Sequence, residues 1–251
     1  MEGVLAAADL SPTDTVVEVG PGLGLLTEAL APRVARLVGV EIDPALAVAL
    51  RRLLAPWPHV TVVEGDARSV DLSPWLPAPT PYKVVANLPY YAATPILRRF
   101  LEGGHRPTVM VVMLQREVAQ QVAASQGHMS RLSVGVQVYA CPRIVRIVPP
   151  TCFYPPPKVT SAVVRLDVYD TPLVPPGHRE GFFALVRLGF GAPRKQLGGH
   201  LRRHLPLPPE KTEEAFARAG IPFRARPEDL SIPQWESLYH ALRAAGWNPS
   251  T

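Results

Sequence analysis

Thr15-Val16-Val17-Glu18-Val19-Gly20-Pro21-Gly22-Leu23-Gly24 decides the fold class of this 251-residue chain. The first half is β-branched and reads as a strand. The second half is a glycine turn, and Leu25, Leu26, Ala29 and Leu30 supply the apolar spacing of a following helix. Strand, glycine turn and helix form the opening of a nucleotide-binding βαβ unit. Gly20, Gly22 and Gly24 let the backbone approach a ligand, and the helix start presents unpaired N–H groups.

The next segments repeat the pattern. Leu37-Val38-Gly39-Val40 is a second strand ending at Glu41, with Asp43 two residues on and Pro44 opening a helix. Val60-Thr61-Val62-Val63 is a third, followed by Glu64-Gly65-Asp66-Ala67. Glu18, Glu41 and Asp66 therefore collect at one edge of a parallel sheet. A dinucleotide needs donors for its pyrophosphate there, and three carboxylates would repel it. A nucleoside carrying a sulfonium and an amino-acid amine suits them. Glu41 is placed for ribose hydroxyls, Asp66 for the adenine amine and the glycine turn for the methionine part. The cofactor expected is S-adenosylmethionine rather than a nicotinamide.

Lys83-Val84-Val85-Ala86 is a fourth buried strand, and it runs into Asn87-Leu88-Pro89-Tyr90-Tyr91. Proline fixes its own φ and turns Leu88 away from helix, leaving the Leu88 carbonyl outside the ladder. The Asn87 side-chain oxygen and that carbonyl then both face one exocyclic amino group, with Tyr90 against the ring that bears it. This suits chemistry on a nucleobase taken out of its stack. An ordinary proline-containing turn at a strand end reads the same from four residues.

Downstream, a helix is expected over Pro95 to Leu101 and a fifth strand over Val109 to Leu114, with a helix after it. Leu132 to Tyr139 fits strand and helix equally. Ile144 to Val148 and Val159 to Leu166 read as a closing pair of strands. The loop between them, Pro149 to Lys158, is stiffened by proline and either holds Phe153 as a second aromatic slice beside a flipped base or packs it inward. Thr171 to His178 is the linker, giving a first domain over 1–171 and a small helical domain over 172–251. In the latter, Arg194, Lys195, His200, Arg202, Arg203 and His204 read as a phosphate-binding face or as a solvated helix surface. His200 and His204 are four apart without a third ligand nearby, so no metal is expected.

Composition bounds the rest. At 47% hydrophobic and 19% charged residues the chain can bury a sizeable core, which excludes a disordered protein. There is no run of 18 apolar residues and no signal-peptide layout at Met1-Glu2-Gly3-Val4, so a cytoplasmic protein without a membrane partner is expected. Cys141 and Cys152 lack the spacing of a disulfide framework or zinc site. A formal charge of +5 permits a polyanionic partner.

Taken together, Glu18-Val-Gly-Pro-Gly-Leu-Gly24, Glu41, Gly65-Asp66-Ala67, Asn87-Leu-Pro-Tyr90 and Phe153-Tyr-Pro-Pro-Pro-Lys-Val-Thr-Ser161 resemble the small-subunit ribosomal RNA adenine dimethyltransferases of the KsgA type. Arg194-Lys195 and Arg226-Pro-Glu-Asp-Leu-Ser231 extend the resemblance over almost the whole chain. It implies an α/β fold, a Rossmann-like S-adenosylmethionine-dependent methyltransferase sheet with a small helical C-terminal domain. It also implies dimethylation of two adjacent adenosines near the 3′ end of 16S rRNA, within the small ribosomal subunit or its precursor, by a monomer without a metal. Cofactor contacts are implied at Glu18, Gly20, Gly22, Gly24, Glu41, Ile42, Asp66, Ala67 and Asn87. Asn87 and Leu88 would hold the target amine, and Tyr90 and Phe153 would flank its ring. RNA contacts are implied at Lys158, Arg194, Lys195, Arg202 and Arg203. No His or Glu base is indicated, so transfer rests on positioning.

The chain departs from that pattern in two places. Family members carry a leader ending in Gly-Gln-x-Phe-Leu ahead of the position of Met1, and a chain starting after it is expected to hold the cofactor more weakly. Gly127-His128-Met129-Ser130-Arg131 stands where the family has Tyr-Gly before Arg-Leu-Ser. The alternatives are a large-subunit rRNA adenine methyltransferase of the macrolide-resistance type and a non-catalytic RNA-binding ribosome-assembly factor. Arg226-Pro-Glu-Asp-Leu-Ser231 disfavours the first, and the intact Asn87-Leu-Pro-Tyr90 disfavours the second.

Overall fold

The computed structural model describes residues 1–249. The chain divides into two compact units, one made of residues 1–120 and 140–170, the other of 121–139 and 171 onward.

In the first unit, α1 (Glu2–Ala8) ends where Asp9 turns left-handed at φ 48°. Then come β1 (Thr15–Val19), α2 (Leu25–Leu30), β2 (Arg36–Glu41), α3 (Pro44–Leu53), β3 (Val60–Glu64), β4 (Lys83–Asn87), α4 (Ala93–Glu102) and β5 (Val109–Gln115). A helix α5 (Arg116–Val122) follows directly. The seven strands of the sheet stand in the order β3-β2-β1-β4-β5-β7-β6, where β6 is Ala140–Val148 and β7 is Ser161–Val168. The first five are parallel, while β7 runs antiparallel to both β5 and β6. Valine-rich runs suit this sheet because helices cover both faces of a parallel arrangement. Val16, Val17, Leu37, Val38, Val84, Val85, Met110 and Val111 are accordingly all buried.

The strand order reverses between β1 and β4, and the crevice at such a switch point is where open α/β sheets take ligands. Register puts Val19 beside Val40 on one side and Ala86 on the other, so the ends of β1, β2 and β4 lie together at that edge. The expected closing pair of strands is present and antiparallel, and β7 inserts between β5 and β6, a long-range order that local pattern does not carry.

The second unit is helical: α6 (Arg131–Gln137), α7 (Pro176–Gly189), α8 (Leu197–His204), α9 (Pro209–Arg218) and α10 (Ile232–Ala244). Its core joins Phe182, Leu185, Leu197, Leu201, Phe216, Trp235, Leu238 and Tyr239. A Cβ on Gly198 would come within 2.5 Å of the Phe223 carbonyl, so glycine lets α8 close on that loop. The ambiguous Leu132–Tyr139 stretch is resolved as helix, started by a capping box in which Ser130 and Ser133 bond each other's amides. The sequence reading ran the first domain unbroken to residue 171, whereas 121–139 groups with the second unit. The Gln137 side chain ties this insert together by donating to the Val122 and Ala124 carbonyls. Among the described residues no helix is long and apolar enough to cross a membrane.

Candidate active site

The glycine turn closes β1 at the switch point. Gly20, Gly22 and Gly24 have φ of 67°, 59° and 83°, a region that strains any residue with a Cβ. An added Cβ at Gly20 would meet nothing within 4 Å, so the backbone there borders open space. At Gly24 it would sit 3.0 Å from Leu53 and 3.1 Å from Leu50, so this glycine serves the packing of α3 instead. Glu41 fixes the turn from the neighbouring strand. Its carboxylate accepts from the Gly22 amide at 2.9 Å and from the Asp43 amide at 3.0 Å, and its side chain is 4% exposed.

Two cavities meet at Gly20. The larger, about 760 Å³, is bordered by Glu18, Gly20, Gly22, Asn87 and Phe153, a size suited to a small-molecule site. The smaller, about 40 Å³, is bordered by Ile42, Asp66, Ala67, Pro89 and Tyr91. All but four of the sequence-predicted catalytic and cofactor residues border one of these two cavities. Glu41, Gly24 and Tyr90 border neither, and the Leu88 side chain is buried.

Asn87 ends β4 and borders the larger cavity. Behind it the half-buried Tyr90 hydroxyl lies 2.7 Å from Ser161 Oγ, which anchors the ring to the first residue of β7. Phe153 borders the same cavity as Asn87, from the far loop. Ser161 was not singled out for this role, because its partner is 71 positions away in sequence. Tyr91, the residue after the Asn87–Tyr90 motif, lines the small cavity.

Two carboxylates set the electrostatics. Glu18 is 1% exposed, and its Oε2 has no hydrogen-bond partner. Burial pushes its pKa up to about 7, and the charge of Glu41 adds to the rise. The Thr27 hydroxyl offsets part of it without making a hydrogen bond of good geometry. Asp66 is the opposite case. Arg68 Nε reaches both of its oxygens at 3.0 and 2.9 Å, and Nη2 reaches Oδ2 at 2.5 Å. Those hydrogen bonds hold the carboxyl below its ordinary range.

A cationic nucleoside cofactor fits these donors and acceptors. The open backbone at Gly20 admits it, and the buried, unpaired Glu18 oxygen calls for a positive group.

In the basic set, Lys158, Arg194 and Lys195 are exposed, and none forms an ion pair among the described residues. Arg202 is otherwise committed: it bonds Glu213 at 2.9 Å and lies 5.8 Å from the Phe223 ring centre. Arg203 donates to the Gly199 carbonyl. The His200 and His204 rings lie tilted with centroids 4.2 Å apart, and among the described residues no three His, Cys, Asp or Glu side chains gather as a metal site.

Strand order, glycine turn and the cavities at the switch point define a methyltransferase of the α/β class. Its kind is given by comparison with known proteins. Residues 1–243 match the family described as ribosomal RNA adenine dimethylase, and the chain belongs to that family. It is 41% identical to ribosomal RNA small subunit methyltransferase A of Dehalococcoides mccartyi, over 94% of this chain and 81% of that protein. The protein of the same name from Clostridium perfringens is 37% identical over 95% and 84%. Among solved structures, the 23S rRNA methyltransferase ErmE is 31% identical with a TM-score of 0.76, over 96% of this chain and 95% of that one. A dimethyladenosine transferase from Plasmodium falciparum has a TM-score of 0.84 at 23% identity, over 98% and 96%, which shows the shared fold. The chain is therefore an rRNA adenine dimethyltransferase using a methyl donor of the S-adenosylmethionine type.

Proposed function

We propose that this enzyme transfers methyl groups from S-adenosylmethionine to the exocyclic amines of two adjacent adenosines near the 3′ end of small-subunit rRNA, as a cytoplasmic monomer. The carrying observation is that Asn87 and Phe153 border the same cavity as the glycine turn, next to the pocket of Asp66. When bound, the cofactor supplies an electrophilic methyl on a sulfonium. Gly20 and Gly22 approach its methionine part, with Glu18 facing the ammonium. Ile42, Ala67 and Asp66 take the adenine, and Glu41 offers its remaining lone pairs to the ribose. Asn87 Oδ1 and the Leu88 carbonyl accept the two hydrogens of the target amine. That aims the nitrogen lone pair at the methyl. Tyr90, anchored by Ser161, and Phe153 hold the base between them, so orientation replaces a general base. Lys158, Arg194, Lys195 and Arg203 serve the RNA backbone.

The small-subunit target is favoured by relatives of 37–42% identity bearing that name. Likeness to ErmE at 31% keeps a 23S target as the second reading. Incubating the protein with labelled S-adenosylmethionine and unmodified 30S and 50S particles, then mapping dimethyladenosine by mass spectrometry, tests both. Label confined to adjacent adenosines of 16S rRNA is expected. Label in 23S rRNA moves the target, and no label in either overturns the proposed reaction.

A further inference from the structure

Arg68 borders two cavities at once. On one side is the small pocket of Asp66. On the other is an open groove of about 520 Å³, bordered by Thr94, Arg98, Arg99 and Glu102. All these residues belong to the first unit. Three guanidiniums and one carboxylate border the groove, and with Asp66 counted against Arg68 it keeps a net positive charge. Glu102 is bonded to Arg98 at 2.7 and 3.2 Å, and Arg98 keeps 63% of its side chain in solvent. Tyr91, 79% exposed, stands on the pocket side beside Arg68.

Planar guanidinium forks match phosphate oxygens. An exposed aromatic beside them is the pattern that holds single-stranded nucleic acid. The open shape suits a polymer backbone passing through better than a small enclosed anion. Arg68 is not at liberty in this arrangement. Asp66 receives its Nε, its Nη2 and also its backbone amide at 2.8 Å, which fills both carboxylate oxygens. An adenine amine arriving at Asp66 competes for those oxygens.

We propose that the Arg68–Arg98–Arg99 groove seats a phosphate of the RNA backbone, and that Arg68 passes from Asp66 to that phosphate when the adenine of the cofactor reaches Asp66. The hand-over rests on Asp66 being the adenine acceptor. Cofactor and RNA then strengthen each other's binding, and by linkage the effect is reciprocal.

The test uses the full chain and a labelled RNA hairpin carrying two adjacent unpaired adenosines. It is titrated by anisotropy across KCl concentrations, with and without S-adenosylhomocysteine. Arg98→Gln with Arg99→Gln should lower the salt slope by just under one, at about 0.7–0.9 for one phosphate contact. An unchanged slope overturns the phosphate seat. S-adenosylhomocysteine should tighten RNA binding by about fivefold, the low end of usual coupling, in the wild type and not in Arg68→Gln. Equal tightening in both overturns the hand-over. Asp66→Asn separates the two levels of the argument. It should weaken cofactor binding in calorimetry and, by releasing Arg68, strengthen RNA binding without cofactor. If it leaves cofactor affinity untouched, the adenine assignment fails and the hand-over with it, while the salt slope still decides the groove. If it weakens the cofactor but leaves RNA binding unchanged, the hand-over alone is wrong.

Discussion

The Gly22 amide donates to Glu41 Oε2 at 2.9 Å, so the acid at the end of β2 holds the glycine turn at the end of β1 in place. Its other oxygen takes the Asp43 amide at 3.0 Å, just ahead of α3. Glu41→Ala therefore has two consequences. It removes a charged acceptor from the ribose, which at about 1.5–3 kcal/mol predicts a tenfold to hundredfold loss of cofactor affinity. It also strands two amides in a buried setting, at about 1–3 kcal/mol each in stability. Calorimetry and thermal melting read the two separately. A variant that melts like the wild type argues against the support role.

Glu18 gives a pH dependence with a definite sign. Its pKa of about 7 in the free protein lies above the ordinary 4.5, so the folded state favours the protonated carboxyl. The resulting stability is present in full below pH 4.5, and it is lost as pH rises toward 7. The rise corresponds to about 3 kcal/mol. Glu18→Gln should thus melt higher than the wild type at pH 8 and not at pH 4. Cofactor binding runs the other way, because a bound ammonium favours the ionised form. Affinity should fall as pH drops below about 7 in the wild type and stay flat in Glu18→Gln. A wild type with the same pH-independent affinity would take Glu18 out of ammonium recognition.

Asn87→Ala should cut methyl transfer by at least about a hundredfold, in the range of a lost positioning contact, while leaving RNA affinity within twofold or so, since phosphate contacts dominate that affinity. Ser161→Ala probes the support behind Tyr90. Losing its 2.7 Å partner frees the ring, and kcat should fall more than KM rises. Equal loss of RNA binding and turnover in Asn87→Ala would contradict a role confined to the target amine.

The parts of this site that were legible in the sequence are those written in backbone chemistry. Glycines at positive φ, β-branched runs and an acid after each strand mark the β1 turn and the ends of β2 and β3 without any tertiary information. The proline of Asn87-Leu-Pro-Tyr90 likewise marks the end of β4. What stayed hidden depends on pairings across long stretches of chain. Ser161 lies 71 residues from Tyr90, and β7 enters the sheet ahead of β6. The α6 helix was ambiguous because its capping box uses Ser133 in place of the usual Glu or Gln, and its valines suit strand as well. Asp66 read as an open acceptor because nothing in Gly65-Asp66-Ala67-Arg68 announces that the arginine folds back onto it.

The basic run of the second unit divides by what each side chain already holds. Arg202 is 45% exposed, bonds Glu213 and covers the Phe223 ring, so it links α8 to α9 and to the loop beyond. An exposed ion pair is worth about 0.2–1 kcal/mol, and a cation over an exposed ring about 0.5–1. Arg202→Ala should therefore lower stability by roughly 1–2 kcal/mol and leave the salt slope of RNA binding nearly unchanged. Arg194 and Lys195 hold no such partner among the described residues. Replacing both by Ala should leave melting unchanged and flatten the slope by between one and two, at about 0.7–0.9 per contact. Glu213→Ala supplies the control. It breaks the same pair as Arg202→Ala but keeps the cation, so it should cost stability and slightly strengthen RNA binding. Should Arg202→Ala flatten the slope as much as the Arg194 and Lys195 pair does, Arg202 leaves Glu213 on binding and the whole run acts as one phosphate-binding face.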